Sequence, residues 1–394
     1  MERVTPGSTT QVETSEEMFD RHMKRRGGRF NREPVDPAYF TDMMFQAERK
    51  LAEQFLLMAR KLGSDIHFDF VQNNLLNAVA FSDSQTGREF IGMNAATVFM
   101  LRQIFYVLLC QPTILPQVGD PSKEIQSEGP FLAATELELG ENEFRFPNDD
   151  QRAIFATTLA QLSFWHLIAH EHAHHSHGHV SFLNSRLGEQ FLFEINESAS
   201  PSDPDYILMR QTLEYDADCA AVQQSLRTVL ETSKGHASGA LDGRWDNAYA
   251  GQEIGLYSWG FAITILFRLM GRDERFDQDI KSAYHPPPQM RQAISLITAN
   301  HVLGVWGYKE LQERFTLICY KAQLDAEDGF AAITGIPRNK DLLRKTFDNL
   351  ALESTSYLAT LNQKWADLYP ELRRHARVSI HDPSTDGDLG APSV

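Results

Sequence analysis

The sequence predicts an α+β protein that is mostly α-helical and carries one small antiparallel β-sheet ahead of a long helix. Three observations predict this class. Apolar residues recur at helical spacing along most of the chain, as in helices that bury one face. Residues 66–71, 77–81 and 88–94 are rich in β-branched and aromatic residues, as strands are. A long apolar helix then runs into the histidine-rich stretch 166–179.

Composition and charge limit the function classes. At 394 residues, the chain suits one large domain with insertions or two packed lobes. Its net charge of -16 argues against nucleic acid as the main partner. The polar N-terminus and three scattered cysteines predict a reducing, cytoplasmic location. The apolar run 254–270 carries Arg268 and is shorter than the roughly 20 residues that span a bilayer, so it predicts a core helix without stable membrane insertion.

Composition also divides the chain into four parts. Residues 1–35 are polar and charged, which predicts a disordered N-terminal segment. A main domain is expected over 36–300, with an irregular, Pro- and Gly-containing insertion at 111–149 near the site mouth or a lobe boundary. Residues 301–372 predict helices packed on that domain, and 373–394 predict a disordered tail.

The elements before the histidine stretch follow from local signals. Pro37 opens a helix that ends near 61–63. The loop formers at 82–87 join the second and third strands as a hairpin. An apolar helix follows over 98–109. The purely structural interpretation of this region is a hairpin that leads into a core helix.

The histidine stretch contains one complete H-E-x-x-H motif. Residues 148–150 cap its helix and Gly178 is the natural stop. His170 and His174 are one turn apart and share a face, so both imidazoles can bind one metal ion. Glu171 points about 100° away from His170 and reaches a water on the metal without being a ligand. This spacing is typical of hydrolytic zinc sites.

A third metal ligand has to come from elsewhere, because catalytic zinc binds three protein groups and water. Glu214 lies in an apolar frame on a second predicted helix, 206–226. Asp218 follows one turn later and is placed to accept the free ring N–H of a zinc-binding histidine. A solvent-facing acidic helix is the alternative interpretation. Asp216 points elsewhere on the helix and is a weaker candidate.

The remaining histidines allow other interpretations. His166 shares a face with His170, but Leu167 follows it where the base should be. His179 is expected to line the cleft just past the helix end. A histidine-rich metal-storage tract is an alternative for the whole stretch. Three more are expected to face solvent or a neighbouring loop: His172, His175 and His177.

The order of these motifs resembles the gluzincin zinc metallopeptidases. His170-Glu171-x-x-His174 followed by Glu214-x-x-Ala-Asp218 carries the resemblance. It implies a zincin-like fold and one catalytic Zn²⁺ held by His170, His174 and Glu214. Asp218 would lie behind the histidine ligands.

Further segments resemble M48-like peptidases and the Lit-like bacterial peptidases of phage exclusion (U49). Gly178-His179 after the motif matches both, and His285-Pro-Pro-Pro-Gln-Met-Arg291 resembles a downstream M48 element. The resemblance covers roughly 65–110 and 150–300. The segment before the motif helix resembles a hairpin that offers its edge to substrate, which implies substrate-edge roles for Asn77, Ala78, Val79 and Ala80.

The implied activity is that of a zinc endopeptidase acting on a protein or peptide substrate. Glu171 would be the general base, and His285 or Tyr284 would stabilise the oxyanion, although a proline-held helix cap explains both residues equally. Arg291 would pair with an acidic group behind the ligands, or lie on the surface.

Two further expectations concern specificity and control. The Lit-like resemblance suggests an intracellular defence protease with a narrow target. Gating by residues 111–149 or by a regulatory partner is a hypothesis. The rival interpretation is a catalytically inactive zincin-like binding or regulatory module.

Overall fold

The computed structural model describes residues 13–30, 40–61, 65–125, 145–193, 203–237, 248, 250–271, 283–335 and 357–383. The strands are β1 (Ile66–Val71), β2 (Ala78–Ser82), β3 (Glu89–Asn94) and β4 (Phe191–Phe193). The helices are α1 (Ser15–Met23), α2 (Phe40–Arg60), α3 (Ala95–Leu109), α4 (Asp150–Ser176), α5 (His179–Leu187), α6 (Pro204–Ala237), α7 (Gln252–Met270), α8 (Pro288–Val305), α9 (Lys309–Thr334) and α10 (357–372). The α+β class and the predominance of helix are confirmed.

The sheet is mixed, so the expectation of a purely antiparallel sheet is wrong. Its strand order is β1-β3-β2-β4, with β1 parallel to β3 and β2 antiparallel to both its neighbours. The local β2–β3 hairpin forms as expected. However, β3 inserts between β1 and β2, so that Ile91 pairs with Phe68 on one side and Ala80 on the other.

Helix α4 is the centre of the fold. It contacts β2 and β3 on one side and α3, α6 and α7 on the others, and every residue from 162 to 176 is buried. Asp149 caps its N-terminus by accepting from the backbone N–H groups of Gln151 and Arg152. Gly178 follows its C-terminus with a φ of +81°, a conformation that suits glycine. Both predicted ends of this helix are confirmed.

Helix α7 corresponds to the apolar run that the sequence assigned to the core. Within the part of the chain that the structure describes, it is the one helix long and apolar enough to cross a membrane. Inside the fold, 72% of that apolar window is buried. It packs against α9, α6 and α4, which is the behaviour of a core helix.

Arg152 links the start of the predicted insertion to α4 through hydrogen bonds. Its side chain is fully buried and donates to five backbone carbonyls, those of Leu109, Gln111, Ile114, Leu115 and Val118. Arg152 precedes His170 by 18 helical positions, or roughly 27 Å at 1.5 Å per residue. The segments 111–125 and 145–149 therefore lie far from the histidines, and the expected place at the site mouth is wrong for them. Residues 126–144 lie outside the described residues.

The N-terminal segment is folded where the structure describes it. Helix α1 buries Met18, Phe19 and Met23 against the sheet. The backbone N–H of Phe30 then donates to the carbonyl of Phe70, which extends the sheet beyond β1. The disorder expected for 1–35 is therefore wrong for 13–30. Burial of three apolar side chains stabilises the packing of α1 on the sheet.

The C-terminal segment is also packed. Trp365 lies on α10, and its indole N–H donates to the backbone carbonyl of His381. Ile380 and His381 are buried, so the disorder expected for 373–394 is wrong for 373–383. The expected boundary between residues 300 and 301 falls inside α8, so no domain ends there.

Candidate metal centre

Three side chains from α4 and α6 converge on one point. The Nε2 atoms of His170 and His174 are 3.0 Å apart. Oxygens of Glu214 lie 3.2 Å from His170 Nε2 and 3.7 Å from His174 Nε2. Ligands of a tetrahedral zinc at about 2.0–2.2 Å are separated by roughly 3.3–3.5 Å. The three distances bracket that value, so these atoms fit a single zinc ion.

The Glu214 carboxylate supplies a further test of the fit. It is fully buried, and within the described residues neither oxygen makes a hydrogen bond of normal geometry. Burial alone would raise the pKa of Glu214, but the imidazoles of His285 and His174 hold it well below its ordinary value. A buried, ionised carboxylate costs several kcal/mol unless a cation compensates it. The donor set is therefore suited to a divalent metal.

The surroundings of His174 favour the neutral imidazole, which is the form that binds metals. Burial is the main cause that holds its pKa well below the ordinary 6.5, and the neighbouring His170 acts in the same direction. A neutral imidazole keeps a lone pair for a metal, whereas an imidazolium has none.

Asp218 orients His170 from behind. One carboxylate oxygen lies 3.0 Å from His170 Nδ1, which places the ring proton there and leaves Nε2 free for the metal. Arg291 donates from Nε and Nη2 to both oxygens of Asp218, at 2.8 and 2.7 Å. Burial would raise the pKa of Asp218, but Arg291 lowers it to about 2. The roles expected for Asp218 and Arg291 match this geometry.

Glu171 and His285 occupy different positions around the three ligands. Glu171 is fully buried on α4, one residue after His170. The Nε2 atom of His285 lies 3.3 Å from an oxygen of Glu214, and its side chain is 13% exposed. Tyr284 instead packs its ring against Tyr206, with centroids 5.3 Å apart. Of the two expected oxyanion donors, the structure therefore places His285 at the site.

The expectation of a substrate edge at Asn77, Ala78, Val79 and Ala80 is wrong. Strand β2 lies between β3 and β4, and Val79 and Ala80 pair with both neighbours. The N–H of Asn77 donates to Thr97. Backbone groups that are already paired within the sheet cannot bind an added peptide strand.

The other histidines are packed into the protein. His166 lies 3.3 Å from the Ser225 hydroxyl and belongs to neither of the possible metal-binding groups of three found among the described residues. His172 is buried against Phe55, and burial lowers its pKa to about 3. His175 is buried and donates from Nε2 to the carbonyl of Phe90. The expected solvent-facing positions of His172 and His175 are wrong, because the second half of α4, residues 162–176, is buried on all sides.

Sequence reasoning missed one group of residues beside the metal ligands. His177, His179 and Asp216 lie close together, and all three are buried or nearly so. Burial would raise the pKa of Asp216, but His177 and His179 hold it below its ordinary range. Gly178 was a signal, because a chain reversal there directs His179 back towards α4.

No family model, curated protein or solved structure matches this chain. The functional argument therefore depends on the chemistry of the site itself. The gluzincin resemblance stays a prediction from the motifs.

Proposed function

We propose that the protein is a zinc-dependent endopeptidase. The observation that supports this is the convergence of His170, His174 and Glu214 within 3.0–3.7 Å, with Glu171 between the two histidines in sequence. The expected zincin-like fold, one catalytic zinc and a protein or peptide substrate belong to the same proposal. Narrow intracellular specificity, as in a defence protease, follows from the Lit-like resemblance.

The chain's own residues would divide the work of hydrolysis. When bound, zinc supplies Lewis acidity and lowers the pKa of a bound water to about 7. Glu171 accepts a proton from the attacking water and passes it to the leaving amine. His285, which is partly exposed, donates a hydrogen bond to the oxyanion that forms at the carbonyl. Asp218 and Arg291 hold the His170 ring in place.

A second candidate function is a closed, structural metal site in a binding or regulatory module. It is favoured by the position of His285, whose Nε2 lies 3.3 Å from an oxygen of Glu214 but outside the close group of His170, His174 and Glu214, so that a shift of its side chain would make it a fourth ligand. Structural zinc sites use four protein ligands, whereas catalytic sites keep one position for water. The two candidates therefore differ in what His285 does.

Glu171→Gln tests the peptidase proposal. The variant is expected to retain zinc and to lose cleavage, because the amide cannot accept the proton. New protein N-termini would be profiled in cells expressing the wild type, Glu171→Gln or Glu253→Gln. Glu253 is a half-exposed carboxylate on α7 that pairs with Arg314 and serves as the control. Identical N-termini with the wild type and Glu171→Gln would contradict the proposal.

His285→Ala separates the two candidates. A catalytic site retains one zinc in this variant and loses turnover, because an oxyanion donor typically contributes a factor of about 10²–10³. A structural site loses affinity for zinc and thermal stability together. Zinc content and melting temperature, measured on the same sample, distinguish these outcomes.

A further inference from the structure

A chain of polar contacts runs from His174 away from the metal position. The Nδ1 atoms of His174 and His179 are 3.0 Å apart. His179 Nε2 lies 3.1 Å from an oxygen of Asp216, and His177 Nδ1 lies 2.5 Å from the same oxygen. His174 and His179 are at most 2% exposed, and Asp216 is 4% exposed. The contacts are therefore shielded from solvent.

The backbone brings these residues together at the α4–α5 junction. Gly178 has a φ of +81°, which ends α4 and starts α5 at His179. A Cβ at Gly178 would lie 2.5 Å from the carbonyl carbon of His375. The C-terminal segment therefore packs directly against this chain reversal. Asp216 comes from α6, two residues after Glu214. Helix α6 therefore carries both Glu214, a candidate metal ligand, and Asp216, the last residue in this series of contacts.

Proton positions along the chain of contacts are determined by the metal. If Nε2 of His174 binds zinc, its ring proton is on Nδ1 and is donated to Nδ1 of His179. His179 then carries its own proton on Nε2, which faces the Asp216 carboxylate at 3.1 Å. His177 can donate from Nδ1 to the same carboxylate. In this arrangement each ring proton lies on a nitrogen that is 2.5–3.1 Å from an acceptor atom.

We propose that Asp216 is a positioning residue that acts through His179 to hold His174 in its metal-binding tautomer and orientation. This inference rests on the proposed function, because it requires a metal at His174. Each of the two histidine ligands would then be oriented by a carboxylate, one directly and one through another side chain. His170 has a carboxylate directly behind it, and His174 has one behind an intervening imidazole.

The same three residues do not have the spacing of a second zinc site. Two ligands of one tetrahedral zinc are separated by roughly 3.3–3.5 Å. These residues lie close enough together to be considered as a metal group, but the His177–Asp216 distance of 2.5 Å is below that range and places the two atoms in hydrogen-bond contact. The Nδ1 of His179 is moreover directed at His174.

Zinc affinity tests the inference without relying on catalysis. Chelator-treated protein would be titrated with zinc against a chromophoric competitor, for the wild type, Asp216→Ala, His179→Gln and the double variant. Each single change is expected to raise the zinc dissociation constant about 10–100-fold. The double variant should show about the same loss as either single variant, because the two residues act in series.

A buried carboxylate elsewhere controls for general destabilisation. Glu48 is 1% exposed and pairs with Arg102 between α2 and α3. Glu48→Gln is expected to lower thermal stability and to leave zinc affinity unchanged. If Asp216→Ala does not fold, Asp216→Asn keeps the volume, and the absorption spectrum of its Co²⁺ form is compared with that of the wild type. A changed spectrum supports the inference.

The outcomes separate the inference from the proposed function. Wild-type zinc affinity in Asp216→Ala, or an unchanged cobalt spectrum in Asp216→Asn, overturns the inference alone. Two zinc ions per wild-type chain, one of them lost in Asp216→Ala, would also overturn it and make the cluster a second metal site. Failure of the wild-type chain to bind zinc would contradict the proposed function, and the inference with it.

Discussion

Substitutions in the buried ion pair of Arg291 and Asp218 are expected to change the free energy of unfolding and the zinc affinity independently. Arg291→Met removes the charge and keeps an apolar stem of similar length. Asp218 then remains fully buried without its bidentate partner. Breaking a buried pair in this way typically costs about 3–5 kcal/mol.

Two routes give the expected size of the loss. The pKa of Asp218 is about 2 against an ordinary 3.8, a difference that corresponds to roughly 2–3 kcal/mol at about 1.4 kcal/mol per pH unit. Two charges about 4 Å apart at an effective dielectric constant of 20 attract by about 4 kcal/mol. We therefore expect Arg291→Met to lower the free energy of unfolding of metal-free protein by about 2–5 kcal/mol.

The double variant Arg291→Met/Asp218→Leu provides the decisive contrast. Apolar replacement of both partners is often neutral, so stability is expected to return to within about 1 kcal/mol of the wild type. Zinc affinity does not return, because His170 Nδ1 has lost its acceptor, and it should fall about 10–100-fold. Urea unfolding and competitive zinc titration measure the two quantities. A loss below about 1 kcal/mol in Arg291→Met would refute the reasoning.

Three contacts away from the metal ligands carry further predictions. Phe19→Ala should cost about 3–5 kcal/mol in urea unfolding, because its buried ring packs on Phe81 and Phe90, and a cost near zero would mean that α1 is not docked. Hydrogen bonds from Arg21 and His22 hold the pKa of Asp83 below 3.8 against the effect of burial, so its stabilising contribution is present above about pH 4 and is lost as the pH falls further. Unfolding measured from about pH 5 downwards should show that loss in the wild type and not in Asp83→Asn. Gly178→Ala places a Cβ 2.5 Å from His375 at a φ of +81°, so it should cost more than about 1 kcal/mol and expose 373–381 to limited proteolysis, whereas unchanged digestion would contradict the contact.

The long helix and its motif were predictable because the signals are local. The cap at Asp149, the apolar spacing and the stop at Gly178 all lie within or next to α4. The positions of Glu214 and Asp218 beside His170 were also predictable, because a zinc site at the motif would require a third ligand and a carboxylate behind a histidine. Helical spacing then places both on one face of α6.

The sheet and the N-terminal segment depended on contacts that are distant in sequence. Strand β4 pairs with β2 from 110 residues downstream, as in the pair Phe81 and Phe191, which makes the expected substrate edge an interior strand. Helix α1 has only nine residues, and an isolated helix of that length is marginal in water. It is stabilised by burying Phe19 on the sheet, a contact that no local pattern reveals.

The contacts behind His174 were missed for a geometric reason. Asp216 lies about 200° round α6 from Glu214, so helical spacing alone assigns it to another face. The chain reversal at Gly178 brings His179 back to that face, where it joins His177 at the end of α4. Sequence spacing predicts the direct neighbours of a ligand on regular helices, whereas a residue placed by a chain reversal requires the structure.

The coordination of zinc in the full-length protein tests the central claim most directly. X-ray absorption at the zinc edge, with zinc content measured on the same sample, is expected to show one ion per chain. Its ligands should be imidazole nitrogen and carboxylate or water oxygen at about 2.0–2.2 Å, without sulfur. Glu214→Ala should lose that zinc on dialysis, whereas Glu253→Ala should retain it. Sulfur in the coordination shell, or full zinc occupancy in Glu214→Ala, would contradict the assignment of His170, His174 and Glu214.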